Sequence, residues 1–166
     1  MGRWCSLFGS LATVIIPGSL PQQCPEQKVR KMFSTVEVVQ VFLARLAAQD
    51  ASGIARLCAP SVEWESPEPA GTRWTAGTRT RREVEAWFLT LFSTYSLDQL
   101  SARQVVVDGG DAAVIGSARW RLRSTGDPVE TRFTSVLSVH LGEIEQYWHL
   151  PDTLAVAVST GVARVG

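Results

Sequence analysis

The residues with chemistry to offer are two histidines, His140 and His149, three cysteines, Cys5, Cys24 and Cys58, and a scatter of carboxylates and tyrosines. Their spacing removes most options. The histidines stand outside any H-E-x-x-H pattern and the acids form no D-x-D-x-D loop, so no metal site is expected. An odd cysteine count without C-x-x-C indicates neither a disulfide framework nor a zinc knuckle. Gly109-Gly110 lacks the following Lys-Ser/Thr of a phosphate cradle, and no G-x-S-x-G elbow offers an activated serine. Cys58 reads as a small core residue of a short amphipathic helix rather than a nucleophile. What remains is carboxylate, imidazole and phenol around an apolar interior. That set suits proton transfer without a cofactor.

Such groups need elements to hold them. Ser34-Thr35-Val36-Glu37 is a capping box, and Val36, Val39, Leu43 and Leu46 follow on one helical face as far as Gln49-Asp50. A short second helix spans Ile54 to Cys58, and Val62 to Glu65 alternates as a strand. Ser66 to Gly71 is a loop by composition. A second capping box, Thr80 to Glu83, opens a third helix. Its aromatic stripe (Val84, Trp87, Phe88, Leu91, Phe92, Tyr95) recurs at i, i+3, i+4, i+7, i+8 and i+11 and predicts core.

From there the period changes to 2. Leu100–Asp108, Ala112–Ser124, Val129–Leu141 and Glu143–Leu150 predict four strands joined by hairpin turns. Asp152 then caps a last short helix, Thr153 to Ser159. Helices followed by a meander of strands predict an α+β fold. The three helices of the N-terminal half pack on one face of a curved antiparallel sheet, with a short C-terminal helix.

Composition agrees with one soluble domain. The chain has 166 residues, 16 Lys+Arg against 16 Asp+Glu, 45% hydrophobic and 19% charged. Balanced charge argues against a nucleic-acid partner, which a basic face would recruit. Leu7 to Ile16 is apolar but as a helix would span only about 15 Å, half a hydrocarbon core, so no membrane span is expected. Residues 1–33 therefore read as a leader or poorly ordered extension, residues 34–161 as the domain, and 162–166 as a tail. A cytoplasmic location is expected. Residues 1–31 alternatively make a weak secretory signal, or precede a true start at Met32.

The order helix, short helix, strand, capped helix, four long strands resembles the nuclear transport factor 2-like fold, and within it the SnoaL-like group of polyketide cyclases and ketosteroid isomerases. Four stretches carry the resemblance: Phe42–Asp50, Ser61–Pro67, Gly77 with Thr80–Phe88, and Gly142–His149 with Asp152-Thr153-Leu154. The limonene-epoxide-hydrolase branch is disfavoured, since its Arg-x-Asp pair has no counterpart where Arg119-Trp120-Arg121 stands.

The resemblance implies that the curved sheet is cone-shaped, with a conical pocket that admits a small apolar carbonyl compound for isomerisation, aldol cyclisation or dehydration. A non-catalytic small-molecule-binding or dimerising module of the same fold is the alternative. Asp152 is the first candidate base, with a helix N-cap as its competing role. Glu65, near the position where the isomerase branch carries its base, is the second, and Glu63 shares its strand face. His149, Tyr147 and His140 are candidates to polarise an enolate oxygen or relay a proton. Strict alternation puts Trp148, Leu150 and Asp152 on the face of Ile144, and Tyr147 and His149 on the other. Asp152 and His149 then line one pocket only if Pro151 or a bulge breaks the alternation. Trp64, Trp74, Trp87, Trp120 and Trp148 are candidate pocket walls, with core packing as their other role. Arg119, Arg121 and Arg123 form a stripe, either solvated or pairing with Glu143 or Glu145 of a second copy in a homodimer through the sheet.

Overall fold

The structure, a computed structural model, describes residues 33–69 and 73–159. Apart from Phe33, the expected leader lies outside the described residues, as does the tail. Helix α1 (Thr35–Ala47) starts where predicted: Ser34 accepts from the Glu37 amide while Glu37 reaches back to the Ser34 backbone, satisfying two orphan donors. Its buried face is Val38, Val39, Phe42 and Leu46, rotated from the expected stripe, and Val36 is exposed. The bulk of Phe42 sets that rotation by packing against Phe88 and Tyr147.

Helix α2 (Ala51–Leu57) is capped by Asp50, whose carboxylate accepts from the Gly53 amide at 2.8 Å. Cys58 is not helical as expected but opens strand β1 (Cys58–Pro67), where it is buried. Strand β2 (Trp74–Thr80) was not expected from the sequence. It is an edge strand that pairs only with β1, and its mostly exposed residues leave no alternation to read. The second capping box forms as predicted and opens α3 (Arg81–Thr94). Tyr95, placed by periodicity on the helical stripe, is instead the first residue of β3 (Tyr95–Asp108).

Strands β4 (Asp111–Leu122), β5 (Pro128–His140) and β6 (Glu143–Pro151) and helix α4 (Thr153–Ser159) complete the chain. The six-stranded sheet has the order β2-β1-β6-β5-β4-β3. Every junction is antiparallel except β1–β6, which is parallel. The β5–β6 turn places Leu141 and Gly142 at φ 50° and 80°, the left-handed pair that a tight hairpin requires. At Gly116 on β4, a β-carbon would strike the Ser101 carbonyl oxygen and the Phe133 ring, so only glycine permits that approach.

Helices α1 to α3 cover the inner face of the sheet. Between the layers Phe42, Trp64, Trp87, Phe88, Phe92 and Tyr147 form one aromatic cluster with ring centroids 4.5 to 6.4 Å apart. Burying apolar area at roughly 25 cal/mol per Å2 makes this layer the main source of stability. No helix among the described residues is long and apolar enough to cross a membrane.

Candidate functional site

A register change on β6 decides which residues reach the interior. Ser138 pairs with Gln146, yet Val139 pairs with Ile144, so Glu145 is an extra residue bulged out of the β5–β6 ladder. The bulge shifts the alternation by one position. Ile144 and Tyr147 are therefore both buried, His149 follows them inward, and Trp148 and Leu150 turn out to solvent. Strict alternation predicted the reverse for Trp148, Tyr147 and His149. A break at Pro151 or a bulge was the condition for Asp152 and His149 to line one pocket; the bulge lies before these residues, and of the two only His149 lines the hollow.

Beyond the aromatic cluster the two layers part around a narrow hollow of about 80 Å3, open to solvent at its mouth. Its walls are Trp87 and Leu91 of α3, Tyr95 of β3, Trp120 of β4, and Val129 and Thr131 of β5. His149 and Pro151 of β6 continue them. The Pro67-Glu68-Pro69 loop and Thr153 and Val156 of α4 form the rim. The lining is mostly apolar. Among the lining residues the groups that titrate are His149, Tyr95 and Glu68, and Glu68 is exposed.

His149 is held by its neighbours. Its Nδ1 lies 2.9 Å from the buried Ser135 hydroxyl. The Tyr147 and His149 rings are parallel within 7°, their centroids 6.1 Å apart, and Phe133 lies 5.7 Å from the imidazole. Burial among these groups disfavours the imidazolium and lowers the His149 pKa from 6.5 to about 4. Burial also pushes the phenols of Tyr147 and Tyr95 up from their ordinary value. At neutral pH the interior therefore presents a neutral imidazole and neutral phenols.

The other candidates fall elsewhere. Asp152 caps α4, accepting from the Ala155 amide at 3.0 Å, and borders a polar groove beside Arg119, Glu130 and Arg132. It does not line the apolar hollow, because the bulge put the inward phase of β6 on His149 and Pro151. Glu65 points to the outer face, where it accepts from Trp74 Nε1 at 2.9 Å, and Glu63 accepts there from Thr78. Neither carboxylate lines the hollow. Tyr147 stands behind His149 in the core rather than at the cavity wall.

Of the five candidate tryptophans, Trp87 and Trp120 line the hollow. Trp64 backs Trp87 with ring centroids 5.2 Å apart and donates to Ser66 at 2.9 Å. Trp74 and Trp148 are exposed, and so is His140 at the hairpin end of β5. Tyr95, Thr131 and Glu68 were missed from sequence as site residues. The only sequence signal was a polar-tipped aromatic at the helix–strand junction and an acid inside the Pro-x-Pro loop. Cys58 is an inert core thiol, with burial pushing it up to about 12. Among the described residues no three His, Cys, Asp or Glu side chains gather as metal ligands would.

An α+β layer of helices over a bent six-stranded sheet is the nuclear transport factor 2-like fold. The family model described as a SnoaL-like domain matches residues 39–147, and the chain belongs to that family. A crystallised NTF2-like protein from Burkholderia xenovorans LB400 is similar at 26% identity and a TM-score of 0.64, over 78% of this chain and 98% of that one. One from Burkholderia thailandensis E264 is 24% identical over 77% of this chain and 98% of its own, also at 0.64. A Catenulispora acidiphila protein with a ketosteroid isomerase-like fold, crystallised in complex with trimethylamine, shares the fold at 13% identity and a TM-score of 0.61, covering 75% and 92% of the two chains. No curated protein matches the chain.

Proposed function

We propose that the protein holds a small, largely apolar carbonyl compound in this hollow and moves a proton on it without a cofactor, as an isomerase, aldol cyclase or dehydratase would. The observation that carries the reading is that a neutral imidazole, His149, and a carboxylate, Glu68, line the same apolar cavity. His149 polarises the carbonyl oxygen and Glu68 at the mouth takes the adjacent proton, the division of labour that general acid–base chemistry requires. The roles first assigned to Asp152 and Glu65 thus pass to Glu68.

Deuterium exchange tests this without knowledge of the natural substrate. Protein incubated in D2O with butyrophenone is expected to speed exchange of the ketone's α-protons, followed by proton NMR. Glu68→Gln should remove about a hundredfold of that acceleration. The second reading is a non-catalytic binding pocket, favoured by the exposure of Glu68 at the rim. Binding of butyrophenone without exchange selects it.

The same proposal includes a homodimer through the outer sheet face. The arginine stripe does not serve it as first expected: Arg119 pairs with Glu130, Arg121 with Asp98, Arg123 donates to the Phe92 carbonyl, and Glu143 pairs with Arg81, all within one chain. What supports the dimer is an apolar row set by register, Trp148–Val136–Ala113–Val106, beside Leu150–Thr134–Ile115. Trp148 is 40% and Leu150 47% exposed. A contiguous apolar patch of this kind marks an interaction surface. Sedimentation equilibrium is expected to give twice the chain mass, and Trp148→Glu with Ile115→Glu the monomer mass. A monomeric wild type removes the dimer.

A further inference from the structure

The outer face of the sheet is ordered by charge as well as by polarity. Register stacks its side chains in rows that run across the strands. At one end stands an acidic row, Glu63–Gln146–Ser138–Asp111–Asp108. The apolar rows of Trp148 and Leu150 follow. Next come Arg132–Ser117–Ser101 and then Glu130–Arg119–Gln99. An apolar band is thus flanked by acid on one side and arginine on the other.

Neither flank is neutralised within the chain. Arg119 pairs with Glu130 and Arg121 with Asp98, but Arg132 has no described carboxylate within ion-pair distance. Asp111 accepts from Ser138 at 2.6 Å and Glu63 from Thr78 at 2.8 Å. No described cation pairs with Glu63, Asp108 or Asp111. Asp108 and Asp111 are moreover cross-strand partners, where like charges destabilise. Three row spacings, roughly 20 Å of strand, separate the acids from Arg132. Exposed charges that far apart are screened by salt beyond about 8 Å, so the flanks do not compensate each other. Around Arg132 a polar groove of about 380 Å3 opens, walled by Arg119, Glu130, Ser117, Gln99 and Asp152.

Such a face is complementary to itself, which a two-fold contact between identical chains requires. Two sheets packed face to face share a two-fold axis that lies between them, and two directions of it keep their strands aligned. With the axis along the strands each row meets its own copy, so acids face acids and arginines face arginines. With the axis across the strands, between the Trp148 and Leu150 rows, the order of rows reverses. The Trp148 row then covers the Leu150 row, and the acidic row covers that of Arg132. Arg132 lands over Ser138 on the same strand of the second copy. Ser138 pairs with Asp111, one strand spacing of about 4.8 Å away and within an arginine's reach. Only this direction joins apolar to apolar and acid to base at once.

We infer that two copies join through this face with the two-fold axis across the strands, so that Arg132 of each copy pairs with Asp111 of the other. This rests on the homodimer reading above and adds its register. The groove around Arg132 is where the acidic end of the second copy seats.

Sedimentation equilibrium on the full chain tests it by charge reversal. Arg132→Glu is expected to weaken dimerisation roughly tenfold, and Asp111→Arg likewise, since each reversal acts at both ends of the interface. Arg132→Glu and Asp111→Arg combined in one chain should restore it. The wild-type dimer should loosen as salt rises. The axis along the strands predicts otherwise. Reversing a residue that faces its own copy leaves like charges in place, so every variant would match the wild type and salt would tighten the dimer. That outcome overturns the inference and leaves the dimer intact, as does a double variant no tighter than the singles. Arg132 is exposed and has no described ion-pair partner, so Arg132→Glu decides even if Asp111→Arg, which loses the Ser138 bond, fails to fold. A monomeric wild type removes the homodimer reading itself and leaves the face to a different protein.

Discussion

Phe88→Ala is expected to cost the fold about 3–5 kcal/mol, read as a loss of urea midpoint at unchanged slope. Phe88 is 1% exposed and sits at the centre of the aromatic cluster. Its ring meets Trp87 at 4.9 Å and 81°, Trp64 at 6.0 Å and 86°, and Phe42 at 6.3 Å and 70°. Phe92 and Tyr147 complete its surroundings at 5.7 and 6.4 Å. The first three are edge-to-face contacts of the kind that add to simple burial. Its partners come from α1, α3, β1 and β6, so no single neighbour can move in to fill the space without breaking its own packing. Phe88→Leu, which keeps most of the volume, should cost well under half as much. The loss should reach the hollow too, because Trp87 is cavity wall on one side and Phe88's partner on the other. A variant still folded in mild conditions is expected to bind butyrophenone more weakly although no ligand-facing atom has changed.

That cluster was readable from the sequence because it obeys one rule. Trp87, Phe88 and Phe92 repeat at helical spacing behind a capping box, and local signals of that kind survive any tertiary context. The same holds for Ser34 with Glu37 and for β4 and β5, whose alternation matches their burial. The site depended on features without a local signature. Glu145 is an ordinary strand residue, and nothing in Glu-Ile-Glu-Gln-Tyr-Trp-His-Leu shows that the ladder skips it. Tyr147 and Trp148 are both apolar enough to be buried, so either phase looked consistent. One unrecognised insertion was then enough to exchange His149 for Trp148 on the inner face. It also left Asp152 with the capping role that its position before a short helix had already suggested. Strand β2 failed to show for a different reason: an exposed edge buries neither face, so its residues carry no period. Trp87 Nε1 and the Tyr95 hydroxyl are buried without a hydrogen-bond partner among the described residues, which is a property of what surrounds them. Sequence could place the residues but not the missing acceptors.

Lowering the pH from 6.5 to 4 is expected to destabilise the protein by an amount on the order of 3 kcal/mol through His149 alone. The sign follows from the direction of the shift. Burial holds the folded imidazole pKa at about 4, while the unfolded chain keeps the ordinary 6.5. Between those values the unfolded state takes up a proton that the folded state refuses, so stability falls with falling pH and levels off below about 4. Asp50 and Glu83 act in a lower range. Their carboxylates are held below their ordinary values by hydrogen bonds from Gly53 and Thr80, and their contributions are lost as pH falls through those lower folded values. His149→Gln, neutral at every pH, should therefore flatten the urea midpoint between pH 6.5 and 4.5 and leave the acid limb below it. Parallel curves for wild type and variant would show that the imidazole charges freely in the fold. The result bears on function as well, since a ring that resists protonation in this range stays a neutral donor. A neutral hollow in turn favours an uncharged ligand, because no counter-charge inside repays the desolvation of an ion.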